Sequence, residues 1–259
     1  MNSTYFDLRS YETEKNELIN RNPDSQEIIC EPRGFVLVYE DLLPLCRSTS
    51  TSPRDRYLND SLINCYLSLV LNTERISIPD KTFVFNSNFC GYLRYADTGK
   101  NYTLDFLNNN GIGKNRDFLN SSVILIPIHV SHGHWILVIL NRDDKTCIQI
   151  DSMNKNSFYN EIKKHLETFL QAKIPGNQFE ESRYTFHCEI SARQADSASC
   201  GIYLILNILN RLKIIDFSIE SNPSFLRQIK LIMIHEFLHF YNDPECFVLD
   251  VLGTSSTSQ

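Results

Sequence analysis

The sequence has few of the features that mark membrane, secreted or nucleic-acid-binding proteins. No apolar run reaches the roughly 18 residues that a membrane helix needs, and residues 1–9 lack the apolar stretch of a signal peptide. The 25 basic residues are outnumbered by 31 acidic ones, for a net charge of −6. This balance disfavours broad contact with phosphates. We therefore expect neither a membrane segment nor a nucleic-acid partner.

Cysteines at metal-binding spacing are also missing. The eight cysteines are scattered and form no CxxC pair, which disfavours a structural zinc site. Most of them lie in apolar segments, as Cys65 and Cys147 do, and such residues are usually small buried hydrophobic groups. We therefore expect an intracellular protein, in the nucleus or cytoplasm, with free thiols and with neither a cofactor nor a bound metal.

Composition divides the chain into three parts. The first part, 1–30, is polar and weakly periodic, and we interpret it as an extension that is partly helical or disordered. The segment 31–250 is long enough for one domain with a full core, and the Ser/Thr-rich end, 251–259, is typical of a disordered tail. Hydrophobic patterning within the domain predicts three successive strands at 123–128, 134–140 and 146–151, with helices before and after them. The sequence also predicts a strand at 34–39, a helix capped by Asn59 or Asp60, a short helix at 104–107, a turn at 111–113 and a last helix that starts near Pro223.

Cys200 stands out because of the residues around it. A loop of small residues ends at Cys200-Gly201, and the apolar run Ile202-Tyr-Leu-Ile-Leu follows at once. This pattern predicts that Cys200 lies at the N-terminus of a buried helix, where unpaired N–H groups favour a thiolate. A thiolate is the form of cysteine that attacks carbonyl groups.

A base and a group to orient it are predicted from the turn between two strands. If the turn is centred on Asn141 to Asp144, the numbers of paired residues sum to 285, which places His134 directly opposite Asp151. Opposed side chains on one sheet face stand roughly 4.5–5.5 Å apart at Cβ. A carboxylate at that distance can hold the imidazole in one tautomer and stabilise its charged form.

An oxyanion donor is available on the loop before the cysteine. Gln194 lies six residues before Cys200, and its amide can donate to the oxyanion of a tetrahedral intermediate. The backbone N–H of Cys200 is the second candidate donor. Trp135, the only tryptophan, follows His134 and points to the opposite strand face, where it can be core or can line a substrate channel.

These residues resemble the Ulp/SENP family of cysteine proteases, which act on ubiquitin-like modifiers. The matching pieces are Tyr57-Leu-Asn-Asp60, His134-Trp135, Asp151-Ser152 and Gln194-x5-Cys200-Gly201, in the order of the family and with fitting gaps. The resemblance spans residues 34–245. It implies a single α+β domain of papain-like type, with a central, mostly antiparallel sheet flanked by helices.

The resemblance also implies roles for individual residues. Cys200 would be the nucleophile, His134 the base, Asp151 the orienting group and Gln194 the oxyanion donor. The implied substrate-binding residues are Tyr57 and Trp135, which would clamp the modifier's Gly-Gly tail, Asp60, which would contact its body, and Asn59 and Gly201 beside them. The chain departs from the family at Tyr57, where Trp is usual, and at Ser199, where Asp is usual. Both departures leave the identity of the modifier open.

The implied activity is cleavage after the C-terminal Gly-Gly of a ubiquitin-like modifier, by a monomer that needs no cofactor. A SUMO-type modifier is favoured because residues 123–152 and the Cys200 loop look most like that branch. Ubiquitin-type and Nedd-type modifiers stay open, and so does action in a host cell as a secreted bacterial effector. An acetyltransferase on the same scaffold and a module that only binds a modifier are further alternatives.

A different chemistry is suggested by His235-Glu-Phe-Leu-His239, which matches the HExxH pattern of zinc metalloproteases. The extended form of that pattern needs Gly at 242 and His at 245, where this chain has Asn242 and Glu245. The segment is also rich in apolar residues, as core helices are. We therefore predict no catalytic metal.

Overall fold

The protein is described by a computed structural model that covers residues 8–20, 27–46, 57–74, 76–94, 102–130, 133–171, 184–215 and 223–239. A six-stranded mixed sheet forms the middle layer of these residues, and helices cover both of its faces. None of the described helices has the length and apolar character needed to cross a bilayer.

Eight helices and eight strands are present in the described part of the chain. The helices are α1 (Leu8–Ile19), α2 (Leu43–Cys46), α3 (Asp60–Asn72), α4 (Phe89–Arg94), α5 (Leu104–Asn109), α6 (Asn160–Gln171), α7 (Cys200–Arg211) and α8 (Pro223–His239). The strands are β1 (Ile28–Cys30), β2 (Leu37–Val38), β3 (Thr82–Phe85), β4 (Gly111–Ile112), β5 (Val123–Val130), β6 (His134–Asn141), β7 (Thr146–Ile150) and β8 (Thr185–Glu189). Two short 3-10 helices, Pro32–Gly34 and Tyr39–Leu42, flank β2.

The central sheet has the strand order β4-β3-β5-β6-β7-β8. The pairings β4–β3, β5–β6 and β6–β7 are antiparallel, whereas β3–β5 and β7–β8 are parallel. The sheet is therefore mostly antiparallel, as predicted. Its central strand β6 is buried from Trp135 to Leu140, which confirms the prediction of a strand covered on both faces.

The two faces of the sheet bury different cores. Odd-numbered residues of β6 from Trp135 to Ile139 pack with α3, α7 and α8. Even-numbered residues from Ile136 to Leu140 pack with α4, α6 and a group of phenylalanines that includes Phe83, Phe85 and Phe89. Because side chains alternate along a strand, one continuous apolar run can serve both cores.

Local chemistry explains where two of the helices begin. Asn59 is the N-cap of α3, and its side-chain oxygen accepts a hydrogen bond from the N–H of Leu62 at 2.9 Å. The predicted short helix at 104–107 is confirmed as α5, for which Thr103 is the N-cap. The predicted start of the last helix at Pro223 is also confirmed.

The structure differs from the sequence-based expectations at three places. The predicted strand 34–39 is reduced to Leu37–Val38, because Arg33 and Gly34 take positive φ angles of 50° and 86° and 3-10 helices flank the strand. The segment from Gly111 was predicted as a turn, but it pairs with β3 as an edge strand. The strand β3 itself was not predicted.

The N-terminal segment contributes a helix to the described structure. Helix α1 packs against α8, and its Leu18 side chain is 1% exposed. The Tyr39 hydroxyl donates to the carbonyl of Leu18, which ties the end of α1 to the short sheet region. The division at residue 30 stays a prediction, and the predicted disordered tail, 251–259, lies outside the described residues.

Candidate active site

Three side chains meet at one end of the central sheet. His134 is the first residue of β6, Asp151 follows β7 directly, and Cys200 is the first residue of α7. The Nε2 atom of His134 lies 2.7 Å from Oδ1 of Asp151, and the interaction of the ring with the Cys200 thiol also raises the pKa of His134. Since Nε2 is engaged with Asp151, Nδ1 is the ring nitrogen that is left for the thiol. We call these three residues the candidate triad.

The register that led to the His134–Asp151 pair was predicted wrongly by two residues. Paired residues of β6 and β7 sum to 287, because Asn141 pairs with Thr146 and the loop comprises residues 142–145. Asp151 is therefore diagonal to His134 and follows the last paired residue, Ile150. The side-chain contact survives because a shift by two residues keeps a side chain on the same sheet face and within reach of a long partner.

Burial and hydrogen bonds give the pair its electrostatic character. Burial by itself lowers the pKa of His134, but hydrogen bonds to Asp151 and Cys200 outweigh it and raise that pKa to about 9. Burial raises the pKa of Asp151, but hydrogen bonds from His134 and from the Met153 N–H outweigh it, and the net pKa is lowered. The imidazolium and the carboxylate are therefore the favoured forms at neutral pH.

Cys200 is placed by the packing of α7 on the sheet. The helix is apolar along its first two turns, and its buried face contacts β6. This packing puts the N-terminus of the helix, with its unpaired N–H groups, at the end of the sheet where His134 lies. The Cys200 residue is 1% exposed. The arrangement can therefore hold a thiolate against an imidazolium in a nearly dry environment.

Gln194 lies on the same loop as Cys200, but its amide already has partners. Its backbone N–H donates to the Ser152 carbonyl at 2.9 Å, and its side-chain oxygen accepts from the Ser152 hydroxyl at 2.5 Å. Its side-chain nitrogen donates to the Asp196 carbonyl at 2.6 Å, which uses one of its two N–H groups. These bonds tie the loop to the segment after Asp151. Gln194 therefore holds the loop in position, in addition to its predicted role as an oxyanion donor.

The carboxylate of Asp196 organises the residues just before the nucleophile. It accepts hydrogen bonds from the N–H groups of Ala198 and Ser199, both at 2.7 Å, and from the Ser199 hydroxyl at 2.6 Å. Burial raises the pKa of Asp196, but these bonds outweigh it and lower the pKa. Where the resemblance implies an Asp at position 199, this chain has Ser199, and a carboxylate three residues earlier contacts that position.

The predicted substrate-binding residues fall into a buried group and an exposed group. Trp135 is 2% exposed and donates its indole N–H to the Leu58 carbonyl at 2.8 Å. A Cβ atom on Gly201 would lie 2.8 Å from the Leu58 Cβ, so only glycine fits without a shift. Residues 57–59 thus pack against Trp135 and Gly201.

The exposed group lies at the start of α3. Tyr57 is half-buried, whereas Asn59 and Asp60 are exposed. The Asn59 amide donates to Asp41 at 2.5 Å, and Asp60 accepts from the Ser87 hydroxyl at 2.7 Å. The contacts of these residues with a modifier stay a prediction.

The two histidines of the HExxH pattern lie far along α8 and take no part in the candidate triad. Both contact the Glu14 carboxylate of α1. Glu236, which would be the base of a metalloprotease, is 3% exposed and hydrogen-bonds the buried Tyr66 hydroxyl. A catalytic zinc site needs that carboxylate beside the metal, so this arrangement does not fit zinc proteolysis.

Sequence reasoning missed Tyr159 and Asp196. The Tyr159 hydroxyl donates to the second Asp151 oxygen, Oδ2, at 3.2 Å. No local pattern indicates this contact, because it depends on how the chain folds back after Asp151. For Asp196 a signal existed: Asp followed by Ser three residues later, just before a helix, is typical of a side chain that accepts N–H groups.

A family model for the Ulp1 protease family, C-terminal catalytic domain, matches residues 56–236. Human sentrin-specific protease 3 is 28% identical over 215 residues, which are 78% of this chain and 34% of that protein. The putative ubiquitin-like-specific protease 1B of Arabidopsis thaliana is 25% identical over 189 residues, which are 69% of this chain and 54% of that protein. The chain thus spans about a third of the length of the human relative.

Solved structures share the fold. The Ulp1-like SUMO protease catalytic domain of Chaetomium thermophilum has a TM-score of 0.63 and 22% identity, covering 94% of this chain and 93% of that one. The C-terminal Ulp1 protease domain in complex with Smt3, the yeast orthologue of SUMO, has a TM-score of 0.61 and 18% identity, covering 92% and 95%. These similarities confirm the predicted α+β, papain-like fold. Together with the family match, they show that the chain belongs to the Ulp1 protease family and carries its C-terminal catalytic domain.

Proposed function

We propose that the protein is a thiol isopeptidase and peptidase that cleaves after the C-terminal Gly-Gly of a ubiquitin-like modifier, with a SUMO-type modifier favoured. Membership of the Ulp1 protease family supports the reaction. The names of the human and plant relatives and the Smt3 complex of a structural neighbour support the class of modifier. Removal of a modifier from a target protein and trimming of a modifier precursor are the same reaction, and they differ only in the amine that leaves.

The observation that carries the proposal is the position of the His134 ring between Asp151 and Cys200. One ring nitrogen faces the Asp151 carboxylate at 2.7 Å, and the Cys200 thiol interacts with the ring and raises the pKa of His134. Proton transfer from Cys200 to His134 yields a thiolate and an imidazolium. The lowered pKa of Asp151 keeps a negative charge behind that imidazolium. Nucleophile, base and orienting group are thereby in contact before substrate binds.

Acylation follows from this ion pair. The Cys200 Sγ atom attacks the carbonyl carbon of the last glycine, and the carbonyl oxygen takes up the electron pair as an oxyanion. When the tetrahedral intermediate collapses, the C–N bond breaks and His134 gives its proton to the leaving amine. That amine is a lysine Nζ of a target protein or the backbone nitrogen of a precursor tail. The modifier is left as a thioester on Cys200.

Deacylation reverses the proton transfers. The neutral imidazole of His134 takes a proton from a water molecule, which attacks the thioester carbonyl. The C–S bond then breaks, the modifier leaves with a free glycine carboxylate, and the Cys200 thiolate again faces the His134 imidazolium. Asp151 stays ionised throughout and stabilises the imidazolium in both half-reactions.

Two N–H donors are proposed for the oxyanion. The backbone N–H of Cys200 lies at the start of α7, where helix N–H groups have no intrahelical partner. The second donor is the N–H of the Gln194 amide that does not bind Asp196. Such donors are typically worth about 10²–10³-fold in rate.

The burial of the nucleophile suits a glycine tail. Because Cys200 is 1% exposed, a scissile carbonyl reaches it only along a narrow passage. A Gly-Gly segment has no side chains and fits where other residues would clash. Tyr57 and Trp135 are the proposed sides of that passage, and Asn59 and Asp60 lie at its outer end, exposed to the modifier's body. We place the reaction inside a cell, in the nucleus or cytoplasm.

The test uses modifiers of SUMO, ubiquitin and Nedd type that carry a C-terminal electrophile. We expect the SUMO-type probe to label the wild-type protein most rapidly, with the mass of a single adduct, and the Cys200→Ala variant to remain unlabelled. Faster labelling by the ubiquitin or Nedd probe would overturn the choice of modifier and keep the reaction. Failure of all three probes, with the protein folded by circular dichroism, would overturn the protease function.

A further inference from the structure

Helices α1 and α8 bring together three side chains that suit a transition metal. The His235 Nδ1 atom lies 3.0 Å from Oε2 of Glu14, and the His239 Nε2 atom lies 2.8 Å from Oε1 of the same carboxylate. One ligand atom from each residue can be chosen so that all three lie within 4.8 Å of one another. Over the ranges that the structure describes, no other group of three or more His, Cys, Asp or Glu residues meets that criterion.

We propose that Glu14, His235 and His239 form a zinc-binding site that fastens α1 to α8; we call these three residues the helix clasp. The ligand set of two imidazoles and one carboxylate is one that zinc accepts. The two histidines come from the HExxH pattern of α8, and the third ligand comes from α1, more than two hundred residues earlier in the chain.

The distances in the helix clasp are close to those that zinc requires. Zinc bonds of about 2.0–2.1 Å in a tetrahedron place ligand atoms about 3.3 Å apart. Measured from one atom, Oε1 of Glu14, the separations are 2.8 Å to Nε2 of His239 and 3.2 Å to Nδ1 of His235, so these pairs need to move apart by at most a few tenths of an ångström. The ligand atoms of the two histidines lie within 4.8 Å of each other. Since His239 and His235 are four residues apart on one helix, they already share a face.

The surroundings of the helix clasp hold it in place and leave room for a fourth ligand. The Tyr11 ring stacks on the His235 ring at 4.1 Å, and Glu12 of α1 binds Arg227 of α8 at 2.8 Å. The clasp side chains of Glu14 and His235 are 18% and 17% exposed, whereas that of His239 is 42% exposed. Water can therefore reach the metal on the His239 side and complete a tetrahedron.

The proposed metal has a structural role. Glu236, the carboxylate of the HExxH pattern, faces Tyr66 in the core and is therefore not positioned to activate a metal-bound water. The helix clasp shares no residue with the candidate triad. The test of the metal site is therefore independent of the proposed protease function. A positive or negative result for metal binding does not affect the protease proposal, and the reverse also holds.

The experiment measures Co²⁺ and Zn²⁺ binding to the full chain in a Cys200→Ser background, which removes the thiol most able to compete for metal. We expect about one equivalent of Co²⁺ with the visible spectrum of a four-coordinate nitrogen and oxygen site, displaced by Zn²⁺. Glu14→Gln and His239→Gln should each weaken binding by at least about 10-fold, since loss even of groups behind the ligands has that effect. Zn²⁺ should raise the Tm of the parent and leave that of Glu14→Gln unchanged.

The matched control is Glu161→Gln, which breaks the pair of His165 and Glu161 on α6 at 3.9 Å, in which only the Glu161 side chain is exposed. Within the described ranges this pair has no third ligand. The control variant should bind metal like the parent. Equal affinity of the parent and Glu14→Gln would overturn the proposal, as would a strong thiolate-to-cobalt band or the absence of binding. Circular dichroism shows whether each variant is folded, and Glu14→Gln keeps the shape of the side chain.

Discussion

The candidate triad and the helix clasp are both built from histidine and carboxylate, yet they suit different chemistry. In the triad one imidazole lies between a carboxylate and a thiol, and its side chain is 12% exposed. In the clasp two imidazoles share one carboxylate, and one of them is 42% exposed. What separates the two regions is the third partner: Cys200 is the proposed nucleophile, whereas the second histidine of the clasp is a further proposed ligand.

Burial is the second difference between the regions. Asp151 is 2% exposed and accepts hydrogen bonds from His134, Met153 and Tyr159, which keep it charged inside the protein. Glu14 lies between two helix surfaces with solvent nearby. A buried and fully hydrogen-bonded carboxylate has a large effect on the pKa of its partner, whereas a partly exposed one is screened by water. We therefore expect substitutions in the triad to alter rate and pH dependence, and those in the clasp to alter metal binding.

The sharpest contrast is between two histidine substitutions. His134→Gln should lower kcat/KM on a modifier substrate by about 10²–10⁴-fold, because the variant has neither a general base nor a general acid. His165→Gln removes a histidine that pairs with a carboxylate on α6 and should keep the wild-type rate. Steady-state kinetics at neutral pH measure both. Comparable losses in the two variants would contradict the assignment of His134.

The pH profile tests whether the imidazolium is the active form. The pKa of His134 is raised to about 9 from the usual 6.5. The charged imidazole therefore stabilises the fold and the thiolate fully below pH 6.5, and this stabilisation is lost as the pH rises through about 9. We expect kcat/KM to fall on the alkaline side at about pH 9. In Asp151→Asn the rate should drop and this limb should move to lower pH, because a charged hydrogen-bond partner is lost. An unchanged limb in that variant would contradict the role of Asp151.

The packing beneath the triad can be tested with two glycines. Gly201→Ala should destabilise the protein by about 1–3 kcal/mol, because the new Cβ would lie 2.8 Å from the Leu58 Cβ and 3.4 Å from Trp135. Gly91→Ala is the control, since nothing lies within 4 Å of its added Cβ. Thermal unfolding should show a lower Tm for the first variant alone. Equal Tm values would mean that residues 57–59 can shift to make room for the new Cβ without any loss of stability.

The smallest change in stability is expected for a substitution in the helix clasp when no metal is bound. Glu14→Gln should change the free energy of unfolding by at most about 1 kcal/mol in the presence of a chelator, because partly exposed ion pairs contribute little. Urea unfolding with and without added salt measures this change. A much larger loss would show that the clasp holds the fold by itself and would weaken its contrast with the triad.

Much of the fold followed from local patterns in the chain. Apolar runs predicted β5, β6 and β7, a cap residue predicted the start of α3, and proline at a first helical position predicted the start of α8. The strand β3 was not predicted: its Phe83 and Phe85 pack in a core built from distant segments. The predicted strand at 34–39 failed because the positive φ of Arg33, a non-glycine residue, is not encoded by the usual turn residues.

The candidate site shows the same division. The sequence indicated all three triad residues, although the register that linked two of them was off by two, since loop length in a hairpin sets the pairing. An error of one residue would have put Asp151 on the other face. Tyr159 and the occupied amide of Gln194 were beyond sequence reasoning, because their partners depend on how two loops lie against each other.

Residue identity and spacing in the chain were sufficient to predict the three residues of the proposed thiol chemistry: a cysteine at a helix start, a histidine at a strand start and a carboxylate at a strand end. Only the tertiary structure decided the meaning of HExxH, because a five-residue pattern places two histidines on one helix face without saying what faces them. The fold turned Glu236 toward Tyr66 and placed Glu14 against both histidines. Spacing along the chain determines which side chains share a face, whereas contacts between distant segments are set by packing.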